Sequence, residues 1–228
     1  MNNLQILVAL ATAPSSAFAE LRERPRFWFP LLLLVITTVG LVYWYYSVVD
    51  IEWLKDQMFA NNPTIPEAKR AAAMGMLTRT TLMWTSVVSA FIALPIVLVV
   101  SALYWLVAGK IAKLTPDFSH WFAFSCWTSL PVLISTVVAV ILLLMSNSPQ
   151  ISLGVTQPLS LNELIFHRPF GSPGQTLLGS LGIPGFLSWV LMIIGIRVWS
   201  QRSWLFSVLY VLAPVVVFYG IWAFFSFR

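Results

Sequence analysis

Five long stretches of this sequence contain no Asp, Glu, Lys or Arg, and they limit the possible folds more than any other feature. They cover about residues 27–46, 83–107, 118–145, 177–196 and 204–225. A helix needs about 20 apolar residues to cross the hydrocarbon core of a bilayer, and each stretch has that length. Because the apolar residues run continuously and do not alternate, we expect membrane-spanning helices and not the strands of a barrel.

Composition excludes a water-soluble domain. Hydrophobic residues make up 59% of the 228 residues and charged residues only 9%, whereas soluble domains have about 25% charged residues. A soluble globule of this size could not bury so much apolar surface. The prediction is an all-α membrane protein with five transmembrane helices, forming one domain over residues 1–228 without an internal repeat.

The distribution of Lys and Arg predicts the orientation of the chain. The side that holds the N-terminus has the shorter connections and carries seven of them: Arg22, Arg24, Arg26, Lys110, Lys113, Arg197 and Arg202. The opposite side carries six: Lys55, Lys69, Arg70, Arg79, Arg168 and Arg228. The positive-inside rule therefore favours an N-in, C-out topology. Since the basic residues flank the apolar stretches and form no single patch, the net charge of +5 does not indicate nucleic-acid binding.

Tryptophan residues near the ends of the predicted spans are typical of anchors at the membrane interface. This interpretation applies to eight residues: Trp28, Trp44, Trp84, Trp105, Trp121, Trp199, Trp204 and Trp222.

The N-terminal segment predicts a helix at the membrane surface over residues 3–25. Its apolar residues recur at helical spacing, at Leu4, Leu7, Val8 and Ala11. Anionic lipid headgroups are the expected contacts of the three arginines that follow, Arg22, Arg24 and Arg26. The sequence Ala17-Phe18-Ala19 before Glu20 resembles a signal-peptidase site. The first twenty residues contain no Lys or Arg, however, and a secretory signal requires a basic region there.

The longer connections also contain signals for helices. Ile51, Leu54, Met58 and Phe59 predict a short amphipathic helix after the first span. Thr64–Glu67 has capping-box spacing with a proline, which predicts that the second span begins near Ile65 as one long helix. Ser160–Glu163 has the same spacing and predicts a short helix between the third and fourth spans.

Chemically reactive groups are scarce. The predicted spans contain no charged residue, and such residues usually mark ion paths or proton relays. His120 and His167 are far apart in the sequence, Cys126 is the single cysteine, and none of the common nucleotide-binding, zinc-protease or serine-hydrolase motifs occurs. We therefore predict no catalytic residue, no cofactor and no metal site.

Each predicted span contains a proline, which is their most distinctive feature. These residues are Pro30, Pro95, Pro131, Pro184 and Pro214. Proline frees a carbonyl four residues earlier and kinks a helix. Hydroxyl side chains surround Pro131, so they could bond to such carbonyls, pack against other helices or line a polar cavity. The candidate residues for a cavity or for helix packing are Pro95, Thr128, Ser129, Pro131, Ser135, Pro184 and Pro214.

Three blocks of the chain are similar to a known family. The first is Pro14–Phe18 with Arg24-Pro25 and Phe27, and the second runs from Phe118-Ser119 through Phe124 to Ser129–Leu133. The third is Trp189–Ile196, followed by a short basic turn and a span with Pro214. In these blocks the chain resembles the Yip (Ypt-interacting protein) domain family of five-span membrane proteins.

The resemblance implies an N-in, C-out bundle of five helices. Eukaryotic members associate with prenylated small GTPases and carry a long polar N-terminal tail and an Asp-Leu-Tyr-Gly-Pro motif, and this sequence shows neither. The chain therefore looks like a bacterial member, which implies a non-enzymatic protein of the cytoplasmic (inner) membrane. Some such members resemble accessories of ABC-type exporters. The family has no agreed catalytic residues that could be assigned to positions of this sequence.

Two hypotheses for function remain open at this point. The first is a scaffold or accessory protein that binds another inner-membrane complex, with an ABC-type exporter as one candidate. The alternative is a small-solute channel or transporter, or a lipid-handling protein, that uses a cavity at the proline kinks. Membrane lipids are expected partners in both, and small residues four apart (Ser86 with Ala90, Ser89 with Ala93) leave a homo-oligomer open.

Overall fold

The computed structural model describes residues 1–60 and 74–227, and within them the chain is helical, with turns and one isolated bridge between Ser160 and Gly182. The helices are α1 (Asn3–Thr12), α2 (Pro14–Glu23), α3 (Trp28–Val48), α4 (Ile51–Ala60), α5 (Arg79–Ile111), α6 (Phe118–Thr128), α7 (Val132–Met145), α8 (Gln175–Ser180), α9 (Ile183–Ser200) and α10 (Trp204–Ser226). A 3₁₀ turn covers Leu153–Thr156 and a π-helical turn covers Asn162–Phe166.

Five helical segments are long and apolar enough to cross a membrane, as predicted. They are α3, α5, α6 together with α7, α9 and α10. The all-α class and the five spans are thus confirmed, and the amphipathic helix expected after the first span is α4. The orientation of the chain in the membrane stays a prediction.

The second span begins later than the sequence suggested. Its helix α5 starts at Arg79 and has 33 residues, which gives a length of about 50 Å. Leu77 and Thr78 are not helical, and the Thr78 hydroxyl accepts a hydrogen bond from the Thr81 backbone N–H at 3.2 Å. The prediction of one continuous helix from Ile65 is therefore wrong, because Thr78 caps a new helix. The predicted capping box at Thr64–Glu67 lies outside the described residues.

The fourth span also differs from its predicted bounds. Leu177 and Leu178 belong to the separate short helix α8, and the spanning helix α9 starts only at Ile183. Between them the chain is extended, because its backbone pairs with an earlier segment. The Leu161 N–H donates to the Leu181 carbonyl at 2.7 Å, and the Ile183 N–H donates to the Leu159 carbonyl at 3.0 Å.

The N-terminal segment forms two helices where one was predicted over residues 3–25. The chain breaks at Ala13, since Pro14 starts α2 and proline favours the first turn of a helix. Leu4 and Val8 are each 62% exposed on α1, while Ile6 on the opposite face is fully buried. The exposed face suits a lipid surface, and a position at the membrane interface stays a prediction.

Two compact units are distinguished within the chain. The first contains residues 1–35, 93–131 and 185–220, and the second contains the described residues of 36–92, 132–184 and 221–228. In the first unit, aromatic side chains from α2, α5, α6 and α9 form the core, including Phe18, Trp105, Trp121, Phe124 and Trp199.

The core of the second unit lies around the end of α3, with Tyr45, Val49, Leu54 and Ala139 among its buried residues. Hydrogen bonds fasten this end of α3 to other segments. The Tyr45 hydroxyl donates to the Ile151 carbonyl at 2.9 Å. The Arg79 guanidinium donates to the carbonyls of Tyr46 at 2.6 Å and Val49 at 2.9 Å. A cation at this position satisfies the last carbonyls of the helix and suits its negative dipole end.

Candidate functional site

The hydroxyls predicted to matter in the third span lie at a break between α6 and α7. Thr128 is fully buried, and its hydroxyl donates to the Phe124 carbonyl at 2.8 Å. The Ser129 hydroxyl donates to the Ser125 carbonyl at 2.8 Å. Both bonds are local to the C-terminal end of α6, where Ser129 is the cap residue, and such bonds are common for hydroxyls in apolar helices. Ser135 is buried on α7.

Pro131 is the last residue of this break, and the carbonyl that it frees, that of Trp127, has another hydrogen-bond donor. Proline lacks the N–H that would bind the Trp127 carbonyl. The Leu130 N–H donates to that carbonyl instead, at 3.3 Å. The local backbone is therefore satisfied at the proline, and no cavity is needed to explain the hydroxyls.

The other candidate prolines lie on different helices. Pro95 and Pro214 are inside α5 and α10, which both continue through them. Pro184 is the second residue of α9, where a helix needs no N–H donor. The structure thus brings Thr128, Ser129 and Pro131 together. Neither of the two described cavities is lined by any of the candidate residues.

The three N-terminal arginines have two different environments. Arg22 and Arg24 are exposed. Arg26 is half-buried, and its guanidinium donates to the Met1 carbonyl at 2.9 Å. Exposed cations can reach anionic headgroups, so Arg22 and Arg24 remain the better candidates for lipid contact.

The tryptophan prediction is wrong for three residues. Trp105, Trp121 and Trp199 are 4%, 0% and 2% exposed and belong to the aromatic core of the first unit. The Trp199 indole N–H donates to the Phe18 carbonyl at 2.8 Å, which ties α9 to α2. An indole near a span end can point to the interface or to the core, and the local sequence does not distinguish the two. Trp28, by contrast, is 66% exposed, as expected of an interfacial residue.

The start of α6 is capped by Asp117. Its carboxylate accepts the His120 backbone N–H at 3.1 Å and contacts His120 Nδ1 at 2.8 Å. His120 Nε2 lies 3.1 Å from the Arg22 carbonyl, so this residue connects α6 to the end of α2. The hydrogen bond from the His120 side chain, followed by the bond from its backbone N–H, lowers the pKa of Asp117 to about 2.

Replacing Asp117 with alanine should lower the free energy of unfolding by about 1 kcal/mol at pH 7, the usual value of a side-chain N-cap. Because the pKa of the folded carboxyl is lowered, its contribution is complete above the ordinary pKa of 3.8 and is lost as the pH falls towards about 2. Chemical unfolding in detergent across that range should therefore show the difference from the wild type shrinking. Asp56→Ala, at an exposed position of α4, is the control. A difference that stays constant down to the lower pH would contradict this assignment.

The most distinctive site was not found from the sequence. A cavity of about 520 Å³, here called the loop pocket, is lined by α4, by the connection between α7 and α9, and by Trp222 of α10. The lining of this pocket combines charged, polar and aromatic side chains. Among the lining residues are Trp53, Gln157, Glu163, Arg168, Gln175 and Trp222.

Asn162 organises the wall of the loop pocket. This side chain is only 2% exposed, and each of its polar atoms is bonded. Its amide N–H groups donate to Glu163 Oε1 at 2.9 Å and to the Arg168 carbonyl at 3.2 Å. Its carbonyl oxygen accepts the Arg168 N–H at 3.1 Å. The loop from Asn162 to Arg168 is thereby held in one conformation, which fixes both charged residues on the same cavity.

Glu163 occupies space that a glycine leaves open. A Cβ atom at Gly154 would overlap the Glu163 carboxylate, so a larger residue there would displace it. The backbone N–H of Glu163 donates to the Ser160 hydroxyl at 3.3 Å. Half of the predicted capping box is therefore present, since the Glu163 side chain accepts from Asn162 and not from the Ser160 backbone. This capping signal is the one sequence pattern that pointed to the region.

Arg168 holds the other charge of the pocket. Its guanidinium donates to the Pro173 carbonyl at 2.8 Å and lies 5.3 Å from the centroid of the Phe227 ring. Glu163 and Arg168 form no ion pair with each other, although both line the loop pocket. The described lining of the pocket thus presents one carboxylate and one guanidinium that do not neutralise each other directly.

The fold therefore defines the class as a multi-pass helical membrane protein with a structured connection between its third and fourth spans. The chain matches the Yip1 domain family over residues 8–225, and it belongs to that family. No curated protein and no solved structure matches the chain.

Proposed function

We propose that this protein acts by binding another membrane protein, as a non-enzymatic scaffold or accessory of a complex in the bacterial cytoplasmic membrane. The observation that carries the proposal is the bonding of Thr128 and Ser129. Their hydroxyls are bound to the carbonyls of Phe124 and Ser125 near the end of α6. The polar groups at the proline break therefore stabilise the helix end, and a solute would find no ready partner there.

The same observation weighs against the transport alternative. A transporter built on broken helices presents unwound backbone and polar side chains to its substrate. Here the Trp127 carbonyl beside Pro131 already accepts a hydrogen bond from Leu130. Pro95 and Pro214 lie inside helices that continue through them.

Helix α5 offers the surface for a partner. Little of this helix is buried against the rest of the chain, and Phe91 and Val97 are 58% and 64% exposed. Ser89 and Ala93 are also exposed, and small residues four apart allow another helix to approach closely. The family resemblance suggests an ABC-type exporter as the partner complex.

Photocrosslinking in the native membrane tests this proposal. A photoreactive amino acid placed at Phe91 or Val97 should capture one membrane protein reproducibly, identified by mass spectrometry. The same probe at Leu98, which is 5% exposed on the same helix, is the matched control and should give no such adduct. Adducts with lipid alone, or with a second copy alone, would contradict a role as accessory to another protein.

A further inference from the structure

The loop pocket has the size and position of a ligand site at the level of the lipid headgroups. Its volume of about 520 Å³ falls within the range of about 300–1,000 Å³ that is usual for small-molecule sites. Among the described lining residues, Trp222 is the one from a membrane-spanning helix, and the others belong to α4 and to the connection between α7 and α9. The cavity therefore lies at the ends of the spans and not within them.

The charges of the pocket indicate the chemistry of its ligand. Glu163 and Arg168 are held on one short loop by the buried Asn162, and they do not pair with each other. A ligand with a single charge would satisfy one of them and leave the other. A ligand that carries an ammonium and an acidic group would satisfy both, because a carboxylate binds ammonium and a guanidinium binds phosphate or carboxylate.

The remaining lining residues suit the same ligand. Trp53 and Trp222 provide aromatic faces, which attract organic cations. Gln157 and Gln175 provide amide groups that can donate to and accept from a polar headgroup. The mixture of aromatic and polar groups is typical of sites that orient a small amphipathic molecule.

We propose that the loop pocket binds a zwitterion with a primary ammonium and a phosphate or carboxylate group, with Glu163 receiving the ammonium and Arg168 the acidic group. The source is either the headgroup of an aminophospholipid or a free small zwitterion. This proposal does not depend on the partner-binding function, since the loop pocket and the exposed face of α5 share no residue.

Binding measurements on the full-length protein in detergent test the proposal. The probes are dihexanoyl phosphatidylethanolamine, the ammonium-free dihexanoyl phosphatidylglycerol, and free phosphoethanolamine. We expect saturable binding of the phosphatidylethanolamine, and about tenfold weaker binding of the phosphatidylglycerol, as follows from losing one charged hydrogen bond. Binding of free phosphoethanolamine as tight as that of the lipid would identify a soluble zwitterion, whereas binding of the lipid alone would identify a headgroup.

Glu163→Gln is the decisive variant, because glutamine keeps an oxygen that can accept from Asn162. It should weaken phosphatidylethanolamine binding about tenfold and abolish the preference over phosphatidylglycerol. Arg168→Gln should weaken binding of both lipids, and Glu52→Gln and Lys110→Gln, at exposed positions outside the pocket, should change neither. If Arg168→Gln does not fold, the loss of preference in Glu163→Gln still decides. No saturable binding of either zwitterion, or an unchanged preference in Glu163→Gln, would overturn the proposal.

Discussion

Replacing Phe18 with alanine is expected to lower the free energy of unfolding by about 3–5 kcal/mol, the usual cost of deleting a buried aromatic ring. Phe18 is fully buried, and its ring centroid lies 5.6 Å from that of Phe124. Its carbonyl also accepts the Trp199 indole N–H at 2.8 Å. The loss of the ring therefore leaves a cavity where α2 meets α6 and α9, and unfolding by a denaturing detergent should measure it.

Leu4→Ala is the matched control, since Leu4 is an apolar residue of the same N-terminal segment but is 62% exposed. Its effect should stay within about 0.5 kcal/mol. If Phe18→Ala lowered the free energy of unfolding no more than Leu4→Ala does, α2 would not be part of the core. A large effect of Phe18→Ala alone would show that this segment contributes to folding and is not only a surface anchor.

Replacing Gly195 with valine is expected to cost about 1–3 kcal/mol, because extra atoms in a packed core force side chains out of their preferred positions. A Cβ atom at Gly195 would lie 2.5 Å from Cε2 of Phe124 and 3.0 Å from two ring atoms of Phe18. Both rings would have to move. The measurement is again unfolding in detergent, with the aromatic core followed by tryptophan fluorescence.

Gly185→Val on the same helix separates this packing effect from the general cost of replacing a helical glycine. A Cβ atom at Gly185 would meet no atom within 4 Å, so the change should stay within about 0.5 kcal/mol. The double variant Phe18→Ala with Gly195→Val should lose less than the sum of the single variants, since the smaller residue makes room for the larger. Strict additivity would contradict the contact.

The sequence predicted only part of the candidate site. The sequence placed the hydroxyls around the kink expected at Pro131 and left open whether they bond to carbonyls, pack against other helices or line a cavity. In the structure the Thr128 and Ser129 hydroxyls bond to the carbonyls of Phe124 and Ser125. In the loop pocket, the Ser160–Glu163 spacing predicted a capped turn, and the Ser160 hydroxyl does bind the Glu163 N–H. The position of the carboxylate was not predictable, because it depends on Asn162 and on the space left by Gly154.

The sequence by itself determined the class of protein, its five spans and its family. Hydropathy and the absence of charge are local properties that require a helix of about 20 residues to cross a bilayer, whatever its neighbours are. Only the tertiary structure decided where α9 begins, because Leu161 pairs with Leu181, twenty residues later. It also decided that Trp121 and Trp199 are core residues and that α4 and Trp222 line one pocket with the loop of Glu163 and Arg168. These features arise from contacts between segments that are distant in the sequence, and no local pattern records such contacts.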